Sequence, residues 1–141
     1  MINPDVFKAY DIRGIAGTEI TPELSAQIGR GLGELLPEGI VAVGYDMRPN
    51  SQEYAKSLMS GLVIQGRQVW DLGLLPTDMI YFAVGKYNLA GGAVVTASHN
   101  PGKYDGIKVV GAEVAELKAV GERKIAAADK PGSIEEKDLK S

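Results

Sequence analysis

Apolar positions recur along this chain in two alternating rhythms, one helical and one of short unbroken runs. Leu24, Ile28, Leu32, Leu35 and Leu36 return at helical spacing and give one apolar face. Thr21-Pro22 supplies a capping hydroxyl and a first-turn proline, so this helix is predicted to start there. Residues 40–46, IVAVGYD, are short, β-branched and apolar, the pattern of a buried strand. Asn50, with Glu53 three residues on, predicts the capped start of a second helix. Tyr54, Leu58 and Leu62 line its face, and Gly66 ends it. QVWDLG (68–73) predicts a second strand. PTDMIYFAVGKY (76–87) predicts a helix that is apolar nearly all round and must be buried or covered. GGAVVTA (91–97) and GIKVV (106–110) predict a third and a fourth strand. A closing helix would carry Val114, Leu117, Gly121, Ile125 and Ala128 on one side. DKPGS ends it, and IEEKDLKS is a charged tail.

Strands alternating with helices imply βαβ units and helices on both faces of a sheet. The expected fold is therefore a three-layer α/β/α sandwich with a mixed, mostly parallel sheet of about four strands. Residues 1–132 would form one domain and residues 133–141 a linker-like tail. A chain of 141 residues buries enough surface to fold without a metal or disulfide. The absence of cysteine rules out disulfides, thiolate zinc sites and cysteine nucleophiles. A net charge of −3 argues against nucleic acid or an anionic membrane as the main partner. The first residues, MINPDVFKAYDIRG, hold no apolar signal region, and no run approaches the about 20 apolar residues of a membrane span. A cytoplasmic, non-membrane protein is expected.

Four stretches invite a chemical reading. Gly29, Gly31 and Gly33 in IGRGLGELL fall inside a periodic helix, whereas a dinucleotide fingerprint needs them between strand and helix, so helix packing is expected. YDMRPNS follows the first predicted strand and brings Asp46, Arg48 and Ser51 to a carboxyl end, where open α/β sheets bind ligands. The same residues equally suit a turn, a helix cap at Asn50 and an Arg48–carboxylate pair. AYDIRG holds Tyr10, Asp11 and Arg13, and an arginine fork suits phosphate.

TASHNPGKYDGIKV is the richest. Thr96, Ser98, His99, Asn100, Lys103 and Lys108 gather around a loop leaving a buried strand. Cations there would stabilise an anion at the serine oxygen. The alternative is a loop whose serine caps a turn. Adjacent Ser-His seldom forms an acyl-transfer pair, and no G-x-S-x-G elbow is present.

Together FKAYDIRG, VGYDMRPNS, DLGLLPTDMIYFA and TASHNPGKYDGIKV resemble the first domain of the α-D-phosphohexomutases, in order over residues 7–110. The opening motif favours the phosphomannomutase/phosphoglucomutase branch. The resemblance implies that Ser98 carries a phosphoryl group and donates it to a hexose 1- or 6-phosphate. A hexose 1,6-bisphosphate intermediate forms, reorients and returns its other phosphate. Mg²⁺ would touch an oxygen of the phosphoserine. Lys108 would assist proton transfer or neutralise charge; Arg13 and His99 would position phosphate and sugar; Tyr10 and Asn100 would line the substrate cleft.

The family's D-x-D-x-D metal loop, E-x-S-G sugar loop and R-x-S-x-T/G phosphate loop do not occur in these 141 residues. The expectation is a first domain whose domains II–IV lie elsewhere, inactive in isolation and prone to self-associate through bared surface. A standalone phosphoacceptor or sugar-phosphate-binding module working with a separate chain is the alternative, and a purely structural unit is a third.

Overall fold

The structure, a computed structural model, describes residues 4–8, 11–96, 103–121 and 125–137. After a short 3-10 turn at Pro4–Val6 come strand β1 (Ile12–Ile15), helix α1 (Pro22–Leu35), β2 (Val41–Tyr45), α2 (Ser51–Ile64) and β3 (Gln68–Leu74). They are followed by α3 (Thr77–Lys86), β4 (Gly91–Val95), β5 (Tyr104–Val110), α4 (Val114–Gly121) and β6 (Ser133–Glu136). One sheet runs β1-β5-β4-β2-β3-β6. The β4–β2, β2–β3 and β3–β6 pairs are parallel, whereas β5 lies antiparallel to both β4 and β1.

Helices cover both faces, as expected. On one side α1, α2 and α4 bury Leu24, Ile28, Leu32, Leu58, Leu62 and Leu117 against Val41, Val43, Val95 and Ile107. On the other, α3 buries Ile80 and Ala83 against Ala42, Leu72 and Val94. Successive residues Val41, Ala42 and Val43 are all buried because a central parallel strand is covered on both faces. That is why this strand reads as an unbroken apolar run.

The start of α1 follows the sequence closely. The Thr21 hydroxyl accepts from the Leu24 amide at 3.1 Å, with Pro22 at the first helical position. The glycines of α1 serve packing. A Cβ on Gly29 would overlap the Leu58 carbonyl, and one on Gly61 would overlap the Ala26 carbonyl. The two helices thus cross backbone to backbone at these glycines.

Three details differ from the expectation, within the fold expected. The sheet has six strands rather than about four. Strand β1 escapes a pattern search because Arg13 and Gly14 interrupt its apolar residues. Strand β6 carries no apolar alternation at all: Ser133–Glu136 is exposed throughout and held by backbone pairing to the edge of β3. The closing helix is described over Val114–Gly121, and residues 125–128, expected within it, are not helical. There the carbonyls of Ile125 and Ala126 accept from Arg30 and Gln65, and the Ala128 amide donates to Ile64. Ile125 and Ala128 fit a helical period by coincidence, since their backbone polar groups are satisfied by α1 and α2. Finally, Asn50 makes no side-chain cap on α2; Ser51 is engaged differently, as follows.

Candidate active site

Strands β4 and β5 are joined through residues 97–102, so the geometry of this corner is set by what flanks that connection. Thr96 donates its amide to the Gly106 carbonyl at 2.8 Å, and Asp46 donates its amide to the Val95 carbonyl at 3.0 Å. Ser98, His99, Asn100 and Tyr10 lie outside the described residues; Arg13 and Lys108 lie within them.

Antiparallel register settles where those two cations stand. Arg13 pairs with Gly106, and Lys108 pairs with Val94. Gly106 and Lys108 are two residues apart on β5, so their side-chain directions share a face. Val94 packs with Ile80 and Ala83, which makes it the α3 face. Arg13 and Lys108 are therefore diagonal cross-strand neighbours, a relation that typically spans about 7–8 Å. Asp11 accepts from Arg13 Nε at 3.0 Å and orients the guanidinium, whose side chain keeps 38% of its surface exposed.

Gly106 makes this possible. A Cβ there would overlap the Ile12 carbonyl oxygen and lie 3.0 Å from Arg13 Cγ and 3.1 Å from the Thr96 carbonyl oxygen. The arginine stem lies across the space a side chain would fill.

The opposite face holds a carboxylate cluster. Asp46 Oδ1 accepts from the Arg48 amide at 3.0 Å and from the Ser51 hydroxyl at 2.7 Å, and its Oδ2 accepts from Arg48 Nε at 3.1 Å. The Thr96 side chain also hydrogen-bonds Asp46. Arg48 Nη1 donates to the Tyr104 carbonyl at 3.2 Å. Ser51 Oγ lies 2.9 Å from Asp105 Oδ2, and Asp105 Oδ1 accepts from the Gly106 amide at 2.9 Å. Asp105 is only 1% exposed.

The two acids are tuned in opposite directions. Burial pushes the Asp105 carboxyl up, only partly offset by the Gly106 amide and Ser51. Burial also acts upward on Asp46, but Ser51, Thr96, the Arg48 amide and the Arg48 charge together hold it below the usual carboxylate value. In YDMRPNS the expected Arg48–carboxylate pair is present and the Asn50 cap is not.

Asp105 is the residue the sequence reading missed. It alternates with Ile107 and Val109 in YDGIKVV, so a strand parity count puts a carboxylate on the buried face. That conflict between residue type and register is the signal.

Among the described residues, no group of three or more His, Cys, Asp or Glu could hold a metal. Mg²⁺ asks for octahedral oxygen ligation. The described residues do not build such a site by themselves. One open cleft lies beside the corner and another lies farther along the sheet. The first, of about 230 Å³, is lined by Ile15, Arg48, Asn50, Lys103 and Asp105. The other, of about 550 Å³, lies at the β2–β3–β6 ends between Tyr45, Lys56, Asp71 and Lys137. No helix among the described residues is long and apolar enough to cross a membrane.

Known proteins match this chain along most of its length. The family model for phosphoglucomutase/phosphomannomutase, alpha/beta/alpha domain I, matches residues 4–131. A phosphomannomutase of Escherichia coli is 46% identical over 104 residues, covering 74% of this chain and 23% of that protein. A phosphoglucosamine mutase of Synechococcus sp. (strain CC9902) is 44% identical over 112 residues, covering 79% of this chain and 24% of that protein. Among solved structures, a phosphoglucomutase/phosphomannomutase family protein from Burkholderia thailandensis superposes with a TM-score of 0.88 at 32% identity, over 99% of this chain and 34% of that one. The chain thus spans about a quarter of the length of these two mutases. With its α/β/α layering and the β4–β5 corner in register, the chain belongs to the phosphoglucomutase/phosphomannomutase family, as an alpha/beta/alpha domain I.

Proposed function

We propose that this chain is the phosphoserine-bearing domain of a cytoplasmic phosphohexomutase that interconverts hexose 1-phosphate and hexose 6-phosphate, of mannose or glucose. The observation that carries the reading is the pairing of Arg13 and Lys108 on one face beside the β4–β5 connection, which contains Ser98. Two cations on one face suit a reaction whose main demand is stabilising charge on a transferring phosphoryl group. In each half-reaction the Ser98 Oγ–P bond forms or breaks as the P–O bond at sugar C1 or C6 breaks or forms. The proton leaving the serine hydroxyl ends on the sugar oxygen, and a hexose 1,6-bisphosphate links the two halves. His99, Asn100 and Tyr10 would contact the sugar phosphate. Mg²⁺ would draw on Ser98's phosphate and on ligands from the rest of the assembled protein.

The relatives' greater length supports a chain that works beside further domains. So does helix α3, whose Tyr81 and Phe82 stay 51% and 49% exposed. Bare aromatic surface of this kind favours association. Sedimentation velocity across a concentration series should show reversible self-association of this chain, weakened in Phe82→Asp. A strictly monomeric wild type would remove this reading of the surface.

The function itself is tested by incubating the chain with Mg²⁺ and glucose 1,6-bisphosphate and mapping phosphate by mass spectrometry. Phosphate is expected on Ser98, absent in Ser98→Ala, with no net interconversion of hexose phosphates because positioning by other domains is missing. Phosphate elsewhere, or none on Ser98, overturns Ser98 as this chain's acceptor. Full turnover by the chain alone would instead favour a self-sufficient module.

A further inference from the structure

The Asp46–Ser51–Asp105 cluster lies on the face of β5 opposite Arg13 and Lys108, and its hydrogen-bond inventory does not close with two ionised acids. Ser51 Oγ is 2.7 Å from Asp46 Oδ1 and 2.9 Å from Asp105 Oδ2. A hydroxyl has one proton to donate, so only one of the two contacts can be a serine donation. The other needs a proton on the carboxyl. Asp46 also takes the Arg48 amide, Arg48 Nε and the Thr96 side chain, the set of an ionised acceptor. Asp105 has the Gly106 amide on Oδ1 and is buried.

We infer that Asp105 is a neutral carboxylic acid donating to Ser51, which donates to ionised Asp46, and that this chain of hydrogen bonds is a clamp on both stems of the 97–102 connection. On the β4 side it holds Thr96 through Asp46. On the β5 side it holds Asp105 directly and Tyr104 through Arg48. Asp46, Ser51 and Asp105 are thus positioning residues for the segment that carries Ser98. That positioning role rests on the function proposed above; the proton assignment does not. The upward displacement of Asp105 by burial and the downward displacement of Asp46 agree with the assignment.

The groups facing Asp105 are Asp46 and Arg48 from the β2–α2 loop and Tyr54 from α2; opposite it on β1 stands Gly14. Because its folded value is raised, the folded state holds this proton more tightly than the unfolded chain. Stability from it is present at low pH and lost as pH rises from about 3.8, the unfolded value, through the raised folded value. Asp46 works the other way, and its stability is lost as pH falls below about 3.8.

The test is isosteric replacement. In Asp105→Asn the amide NH₂ donates to Ser51 and the carbonyl accepts from Gly106, so the clamp survives. Asp105→Ala and Ser51→Ala cut it. Hydrogen exchange of the Thr96 and Gly106 amides should stay near wild type in Asp105→Asn and speed up about tenfold or more in Asp105→Ala and Ser51→Ala, as loss of a buried hydrogen bond predicts. The Val41 and Val43 amides serve as the internal reference. Wild type should also lose stability relative to Asp105→Asn as pH rises above about 3.8. Asp105→Asn behaving like Asp105→Ala, or wild type gaining on it with rising pH, overturns the neutral acid. A slower rate of Ser98 phosphorylation in Ser51→Ala then supports positioning. An unchanged rate overturns that role while leaving the proton assignment to the exchange data. No phosphorylation in wild type overturns the proposed function, and with it the positioning role, while the exchange and pH arms still decide the proton.

Discussion

Gly61→Ala should destabilise the chain by about 3 kcal/mol or more, the upper end of what overpacking a rigid interior costs. The added methyl would enter the Ala26 carbonyl and also press on the Arg30 amide 2.9 Å away. Neither neighbour is a flexible side chain, so relief requires moving α1 off α2 and opening the core between Ile28, Leu58 and Leu62. Gly29→Ala meets the Leu58 carbonyl in the same way and should cost a similar amount. Because one helix shift relieves both clashes, the double variant should cost less than the sum. Gly31→Ala is the control. Its methyl would sit 3.4 Å from Leu117 Cδ2, ordinary contact, and replacing a mid-helix glycine gains up to about 1 kcal/mol of helix propensity. Urea midpoints decide the matter: equal behaviour of Gly61→Ala and Gly31→Ala would mean that close helix approach is not what these glycines serve.

The contrast between those glycines marks the boundary of what pattern reveals. IGRGLGELL inside a helical period is enough to reject a phosphate loop and to assign packing. It does not say that Gly29 faces backbone while Gly31 faces a side chain of α4, because that depends on which helices meet and at what angle. Elements whose cores fix them were legible from their spacing: Leu24, Ile28 and Leu32 in α1, and the runs that became β2 and β4. Elements held by backbone pairing at an edge were not. Ser133–Glu136 buries no side chain, and only its ladder to β3 makes it a strand.

The site divides along the same line. Residue type drew attention to Arg13 and Lys108, but only antiparallel register reveals that they share the α3 face. In the sequence Ser51 reads with Asp46 and Arg48 as a candidate ligand contact at a strand's carboxyl end. Its hydroxyl is spent on Asp46 and Asp105, a long-range arrangement with no local signature. Asp105 was nonetheless within reach, since an acid in phase with Ile107 and Val109 contradicts the burial its strand demands. A polar residue in an apolar phase is worth asking about before a lone histidine is.

Lys108→Met should lower the rate of Ser98 phosphorylation by about 10²–10³-fold, the typical loss when one preorganised donor to a developing anion is removed. Methionine keeps an unbranched apolar stem on the half-buried β5 position while deleting the ammonium, so folding should change little. The large kinetic effect follows from placement: Lys108 sits on a strand paired to Val94, not on the connection itself, so its backbone position is fixed before the phosphoryl donor arrives. Arginine is not an equivalent replacement, because a planar fork differs from a compact ammonium in reach and geometry. Lys108→Arg should therefore recover only part of the rate. Single-turnover phosphorylation followed by intact mass, alongside urea midpoints, separates charge from packing. A Lys108→Met protein that is phosphorylated as fast as wild type would make Lys108 a surface cation of the sheet. The charge stabilisation would then have to come from Arg13, from another cation beside the connection such as Lys103, or from a group outside this chain.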